Sequence, residues 1–377
     1  MVLALSRFGY SVLLPPMRAD LHWSYAVAGA MNTANAVGYL AGTLAVVGLV
    51  RRARLQPTLA GAFLLVGLSM IACGLTRDTG ALLLLRALSG VGGGVLYVAG
   101  ASAAARLAEG SRSPGLVLGL YFGGVGAGLL VSALCVPLVL TGNAWPAAWI
   151  AMGCLAALAA APGWWAARAA AGPIATPATA SGASLASLAW SLAAFGVYGV
   201  GYLSFLTFAV AYARDSGRSA GEITVFWAVL ALATVASARV WSTVIESWRG
   251  GRAMAAVLLA TAAGAAIPLA SPAEPVLIAC GLLFGGSFAS VSSVMTQLVR
   301  RALPQARWPA GIATAMTVFA AAQLAGPALT GYISDVAGGL RTGLAISVAL
   351  LAGSVLMALR QGDVRAQERA AGQDRED

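Results

Sequence analysis

Charged residues are missing from this chain in long, regularly spaced stretches. Residues 25–49, 58–75, 115–139, 146–167, 187–211, 253–270, 275–298, 310–333 and 342–359 contain no Asp, Glu, Lys or Arg. A hydrocarbon layer about 30 Å thick takes roughly 20 apolar residues of helix, so these runs read as membrane spans. Three further runs, 3–16, 80–105 and 223–245, carry one arginine each. Amides in lipid find no water to bond, so runs of this length close their hydrogen bonds as helices, and open sheet is excluded. The expected fold class is an all-α polytopic membrane protein with about 12 transmembrane helices.

Composition supports the same class. Hydrophobic residues make up 59% of the chain and charged residues only 10%, against about 25% charged in an ordinary soluble domain. A net charge of +10 would ordinarily raise nucleic-acid binding. The basic residues, all arginine, instead sit in short connectors between spans, which is a topology signal, and no nucleic-acid partner is expected. The four cysteines lie far apart inside apolar runs, and the single histidine, His22, stands in a loop. Neither a metal site nor a cofactor site is expected from such scattered ligands.

Arginine distribution sets the orientation. With the first connector outside, Arg51, Arg52, Arg54, Arg106, Arg112, Arg168, Arg249, Arg252, Arg300, Arg301, Arg307, Arg360, Arg365, Arg369 and Arg375 fall inside, 15 against 5 outside. Both termini are therefore expected in the cytoplasm. Residues 169–185, rich in Pro, Thr and Ser, read as a cytoplasmic linker between bundles of six spans at 1–168 and 186–360, with a cytoplasmic tail at 361–377. Landmarks recur across the linker 192 residues apart: Gly9-Tyr10 with Gly201-Tyr202, Gly93-Gly94 with Gly285-Gly286, and Gly119 with Gly311. Two similar halves of this kind form carriers that rock around a central site. The first span, read from Met1 to Pro16, is short, and a helix lacking its N-terminal turn or two is the expectation.

Several strings carry a family resemblance. RFGYSVLLPPM (Arg7–Met17), NAVGYLAG (Asn35–Gly42), GVGYLSFLTF (Gly199–Phe208), LFGGSF (Leu283–Phe288) and QLAGP (Gln323–Pro327) resemble segments of the major facilitator superfamily, and within it the bacterial YbfB/YjiJ-like branch. RALSGVGGG (Arg86–Gly94) is similar to that superfamily's helix-4 motif. The resemblance implies a major facilitator fold and a secondary active transporter of a small organic solute, working by alternating access in the bacterial inner membrane. A monomer is the expected state, and coupling to protons is left open. The superfamily's gating motif survives in part. VRRARLQP (Val50–Pro57) holds Arg51, Arg52 and Arg54 without an acid, while WSTVIESWRGGR (Trp241–Arg252) holds Glu246, Arg249 and Arg252, so the inner gate is expected to rest on the second half.

Polar residues inside spans are costly and mark cavities or helix contacts. Arg86 stands well inside the fourth span, and a helix-centre Arg costs at least about 2.5 kcal/mol unless it meets water or a partner. Arg7 and Tyr10 lie in the first span. Asn32, Asn35 and Tyr39, at i, i+3 and i+7, share one face of the second. Tyr198, Tyr202 and Thr207 lie in the seventh, and Gln323 in the eleventh. These ten form the expected substrate cavity, with interhelical bonding as the alternative. Trp145, Trp149, Trp164 and Trp165, at span ends, read as interfacial anchors. No Asp or Glu lies deep in any span, so buried arginine without buried acid favours an anionic solute. A sensor or receptor on the carrier fold is the competing class. It would ordinarily append a signalling domain, for which the tail after Arg360 is short. An intramembrane enzyme would need a nucleophile–base pair or a metal-ligand cluster, which the spans do not supply.

Overall fold

A computed structural model describes residues 1–49, 55–109, 114–139, 144–169, 185–304 and 307–363. Arg51, Arg52, Arg54, nearly all of the linker and most of the tail lie outside them. The chain is all-helical: α1 (Val2–Leu21), α2 (Tyr25–Leu49), α3 (Leu55–Cys73), α4 (Thr79–Glu109), α5 (Pro114–Val139), α6 (Trp145–Leu158), α7 (Ala160–Ala169), α8 (Ala189–Asp215), α9 (Ala220–Ser247), α10 (Arg252–Ala270), α11 (Glu274–Phe288), α12 (Ser290–Ala302), α13 (Trp308–Ala322), α14 (Gly326–Val336) and α15 (Leu340–Leu359). Three pairs, α6–α7, α11–α12 and α13–α14, are single spans interrupted once, so the fifteen helices make twelve membrane-crossing units in two halves. Nine of these, among the described residues, are long and apolar enough to cross a bilayer by composition alone. The face carrying the α1–α2 connector is called outer, following the arginine distribution.

The first span is longer than its sequence suggests. Pro15 and Pro16 read as a stop, yet α1 continues through both to Leu21 and runs 20 residues, about 30 Å at 1.5 Å per residue. Proline removes an amide donor without forcing a break where the surrounding helices hold the backbone.

Each half is closed by backbone-on-backbone contact at glycine. A Cβ built on Gly90 or Gly94 of α4 would lie 2.1 Å from Asn35 O or 2.3 Å from Tyr39 O of α2, and reciprocally Gly38 and Gly42 receive Ala87 and Val91. In the second half Gly281 and Gly285 of α11 face Phe226 and Leu230 of α9 in the same manner. These contacts repeat at a spacing of 191 residues, so Gly94 answers to Gly285, one position off the 192 that glycine strings alone suggest. Small residues here let helices approach where no side chain fits between them. Replacing Gly285 by Ala drives a methyl into Leu230 O; overpacking of this kind costs about 1–3 kcal/mol. A lower melting temperature of the detergent-solubilised protein is expected for Gly285→Ala. Gly123→Ala, where nothing lies within 4 Å, is expected to leave it unchanged.

Candidate functional site

The polar residues of the spans converge on the seam between the halves. Arg7 and Arg86 are 4% and 1% exposed, and neither meets a carboxylate among the described residues. Arg86 is enclosed by the first half. Its guanidinium donates to Ser6 O at 2.5 Å and to Asn32 Oδ1 at 2.9 Å, and lies over the rings of Tyr10 and Trp149 at 4.9 and 5.4 Å. Tyr10 donates to Ala28 O at 2.7 Å, which ties α1 to α2. Asn32 passes the chain onward, donating to Thr207 Oγ1 of α8 at 2.7 Å. The result is a relay from Arg86 through Asn32 to Thr207 across the seam.

A second relay starts at Arg7, which donates to Gln323 Oε1 and lies 5.1 Å from the Tyr39 ring centroid. Tyr202 donates to the same Gln323 oxygen at 2.9 Å. Gln323 sits where α13 gives way to α14: Pro327 has no amide for the Gln323 carbonyl, and the helix loosens over 323–325. The side-chain amide turns back to Phe319 O at 3.0 Å. At a second interruption, Ala289, side chains reach the neighbouring carbonyls: Tyr198 donates to Phe288 O at 2.6 Å and Trp241 to Gly286 O at 2.7 Å. Broken helices at mid-span are a feature of carrier binding sites.

Of the ten expected cavity residues, Arg7 with Gln323 and Asn32 with Thr207 bond across the seam, while the cited contacts of Tyr10, Asn35, Tyr39, Arg86, Tyr198 and Tyr202 lie within one half. Asn35 donates to Arg86 O at 3.2 Å and Ser89 Oγ at 3.1 Å, joining α2 to α4. Sequence reasoning named Tyr198 and Tyr202 but not the phenylalanines beside them. Phe195, Tyr198, Tyr202, Phe319 and Phe288 form a run of near-parallel rings with neighbouring centroids 4.5 to 6.2 Å apart. Trp145 and Trp149 are not interfacial anchors but fully buried. Trp145 donates to Asp20 at 2.9 Å and Trp149 roofs Arg86. Trp164 and Trp165 do remain exposed.

The seam is fastened from mid-span to the outer face. Trp227 donates to Ser132 Oγ at 3.1 Å and Ala328 N to Thr33 Oγ1 at 3.3 Å. At the outer end Asp335 accepts from Tyr25 N and Ala26 N, both at 2.8 Å, and Tyr25 donates to Asp215. A carboxylate against the first amides of a helix satisfies donors that have no helical partner and meets the positive end of the dipole. At the inner end the expected pairing of Glu246 is not found among the described residues. The Glu246 side chain is exposed, Arg249 comes within 4.0 Å of Asp363, and Arg252 is exposed. Arg301 does the tying instead, donating to Ile245 O, Glu246 O and Trp248 O at 3.1, 2.6 and 2.5 Å. Those carbonyls end α9, so the tie is made within the second half.

A family model described as an uncharacterised MFS-type transporter, YbfB, matches residues 1–359. The chain belongs to that family. Solved structures with the same fold include a bacterial homologue of the human lysosomal transporter Spinster in an inward-facing, unoccupied conformation. It is 16% identical, with a TM-score of 0.72 over 95% of this chain and 93% of that one. The nucleoside transporter NupG is 12% identical, with a TM-score of 0.70 over 95% and 96%. No curated protein matches the chain. Family and fold make it a multi-pass membrane transporter of the major facilitator superfamily.

The outer fastening predicts its own failure. With Thr33→Cys as a reporter, Asp335→Ala is expected to raise labelling by a membrane-impermeant maleimide added from outside several-fold over the Asp335 parent.

Proposed function

We propose that this transporter is a secondary carrier of a small organic anion that works by alternating access, with its solute held at the seam by Arg7 and Arg86. The observation that carries this reading is electrostatic. Two buried guanidinium groups are held by neutral partners, Arg7 across the seam by Gln323 and Arg86 within its own half by Asn32, and no carboxylate pairs with either among the described residues. A buried charge is expensive unless paired and hydrogen-bonded. Arg7 Nε and Arg86 Nε also have no hydrogen-bond partner among the described residues. An incoming carboxylate would supply the missing charge.

Gln323 gives the exchange a route. Its amide oxygen presents to Arg7 the same geometry as one carboxylate oxygen, without the charge. Charge-assisted bonds of this kind are shorter and roughly twice as strong as neutral ones, so a solute carboxylate can displace Gln323 from Arg7. Release of Gln323 removes the cross-link to the second half at the point where the α13–α14 span is already interrupted. The outer fastening and the inward-facing relatives support a cycle in which this arrangement is open to the inside. The net positive arginine count on the inner side supports cytoplasmic termini in a bacterial inner membrane. Both halves and the whole seam belong to one chain, which supports a monomer as the working unit.

Reconstituted vesicles test the reading directly. Counterflow of small organic anions is expected, and transport restricted to cations or neutral solutes rejects it. Gln323→Glu puts a permanent anion on Arg7. A hydrogen bond to a charged group is worth about 1.5–3 kcal/mol, so affinity for the anion is expected to fall at least roughly tenfold. Gln323→Asn, neutral and shorter, is expected to retain more activity than Gln323→Glu.

A further inference from the structure

The outer ends of α1, α5, α8 and α9, with the start of α2, enclose a chamber of ≈ 520 Å³. None of the ten seam residues lines it. Trp227, fully buried and bonded to Ser132, stands at the inner end of the wall that α9 contributes. The walls are mostly apolar, with Pro15, Pro16 and Ile223 facing in, and the volume is within the roughly 300–1,000 Å³ range of small-molecule pockets.

Its polar groups are few and unbalanced. Arg18 and Arg214 both line the chamber, against one acid, Asp215. Asp215 already accepts from the Tyr25 hydroxyl. Neither arginine is in an ion pair among the described residues. Arg18 lies over Tyr25, its guanidinium carbon 3.7 Å from the ring centroid, with Nε buried and without a hydrogen-bond partner among the described residues. Cations at the C-terminal ends of α1 and α8 suit the helix dipoles. That preference is met anywhere around the last turn, and does not account for Arg18, half-buried, and Arg214, exposed, both lining one cavity.

We infer that this chamber is a second ligand site, at the outer mouth, for a small monocarboxylate with an apolar body. The carboxylate lies between Arg18 and Arg214, and the body packs on Pro15, Pro16, Ile223 and Trp227. Because Tyr25 forms part of the wall and also donates to Asp215, occupancy bears on the outer fastening of the seam.

The test uses benzoate and its uncharged isostere benzamide as probes on the purified full-length protein, with binding measured by calorimetry. An Arg7→Ala background separates this site from the seam. In that background benzoate is expected to bind, with benzamide at least tenfold weaker. Adding Arg18→Ala or Arg214→Gln is expected to weaken benzoate at least fivefold, and Asp215→Asn to weaken it less or to strengthen it. Size-exclusion profiles matching the parent verify folding of each variant. Benzoate binding lost in Arg7→Ala alone, absent in every form, or unchanged in both added arginine variants overturns the inference. If binding survives Arg7→Ala while anion transport is unaffected by it, the outer site stands and the seam reading fails.

Discussion

Two arginine side chains deep in an apolar protein, each held by neutral groups, set the terms for much else in this molecule. Arg86 is wrapped by Ser6 O, Asn32, Tyr10 and Trp149, all from the first half. Arg7 reaches out of that half to Gln323. The asymmetry assigns them different work. Arg86 has the surroundings of a fixed source of positive potential, because aromatic faces and a backbone carbonyl disperse its charge without neutralising it. Arg7 has one hydrogen-bond partner among the described residues, on an element that is already interrupted.

Each half is stiffened from within. Backbone-to-backbone glycine contacts supply the stiffness, since the α2–α4 and α9–α11 pairs touch where no side chain intervenes. The seam has glycine contacts of its own at the outer end of α2 and α14, where Gly29 meets Pro327 O and Gly331 meets Tyr25 O. Elsewhere it is crossed by single hydrogen bonds and by aromatic contacts such as Phe8 with Phe288 at 6.4 Å. In lipid, interhelical polar contacts are worth about 1–2 kcal/mol at most, so a modest binding energy can reorganise several of them.

Much of this was legible in advance because charge and polarity are rare in the spans. Gaps in charge revealed the helices, and isolated polar residues such as Asn32, Thr207 and Gln323 marked the seam. Less accessible were features whose residue types have two ordinary readings. Trp149 at the start of a span reads as a lipid-interface anchor, yet the α6 face bearing it turns inward onto Arg86. Asp335 near a span end reads as a solvated acid, and only the packing of α14 on α2 brings it to the Tyr25 and Ala26 amides. Pro15-Pro16 reads as a stop, although neighbouring helices carry α1 past it. Glu246 suggests the inner gate in the sequence because ion pairs are visible as letters, whereas Arg301 bonds to carbonyls that every residue possesses.

That distinction between letters and backbone has a consequence at the outer end. The groups that Asp335 grips are main-chain amides at positions 25 and 26, and Ser24 takes the next two amides through its hydroxyl and carbonyl at 3.2 and 3.1 Å. One partner of the clasp is therefore nearly mutation-proof, since only proline deletes an amide. Variation in how firmly this one clasp holds can therefore enter almost solely through the acid, which makes position 335 a one-letter tuning point for it.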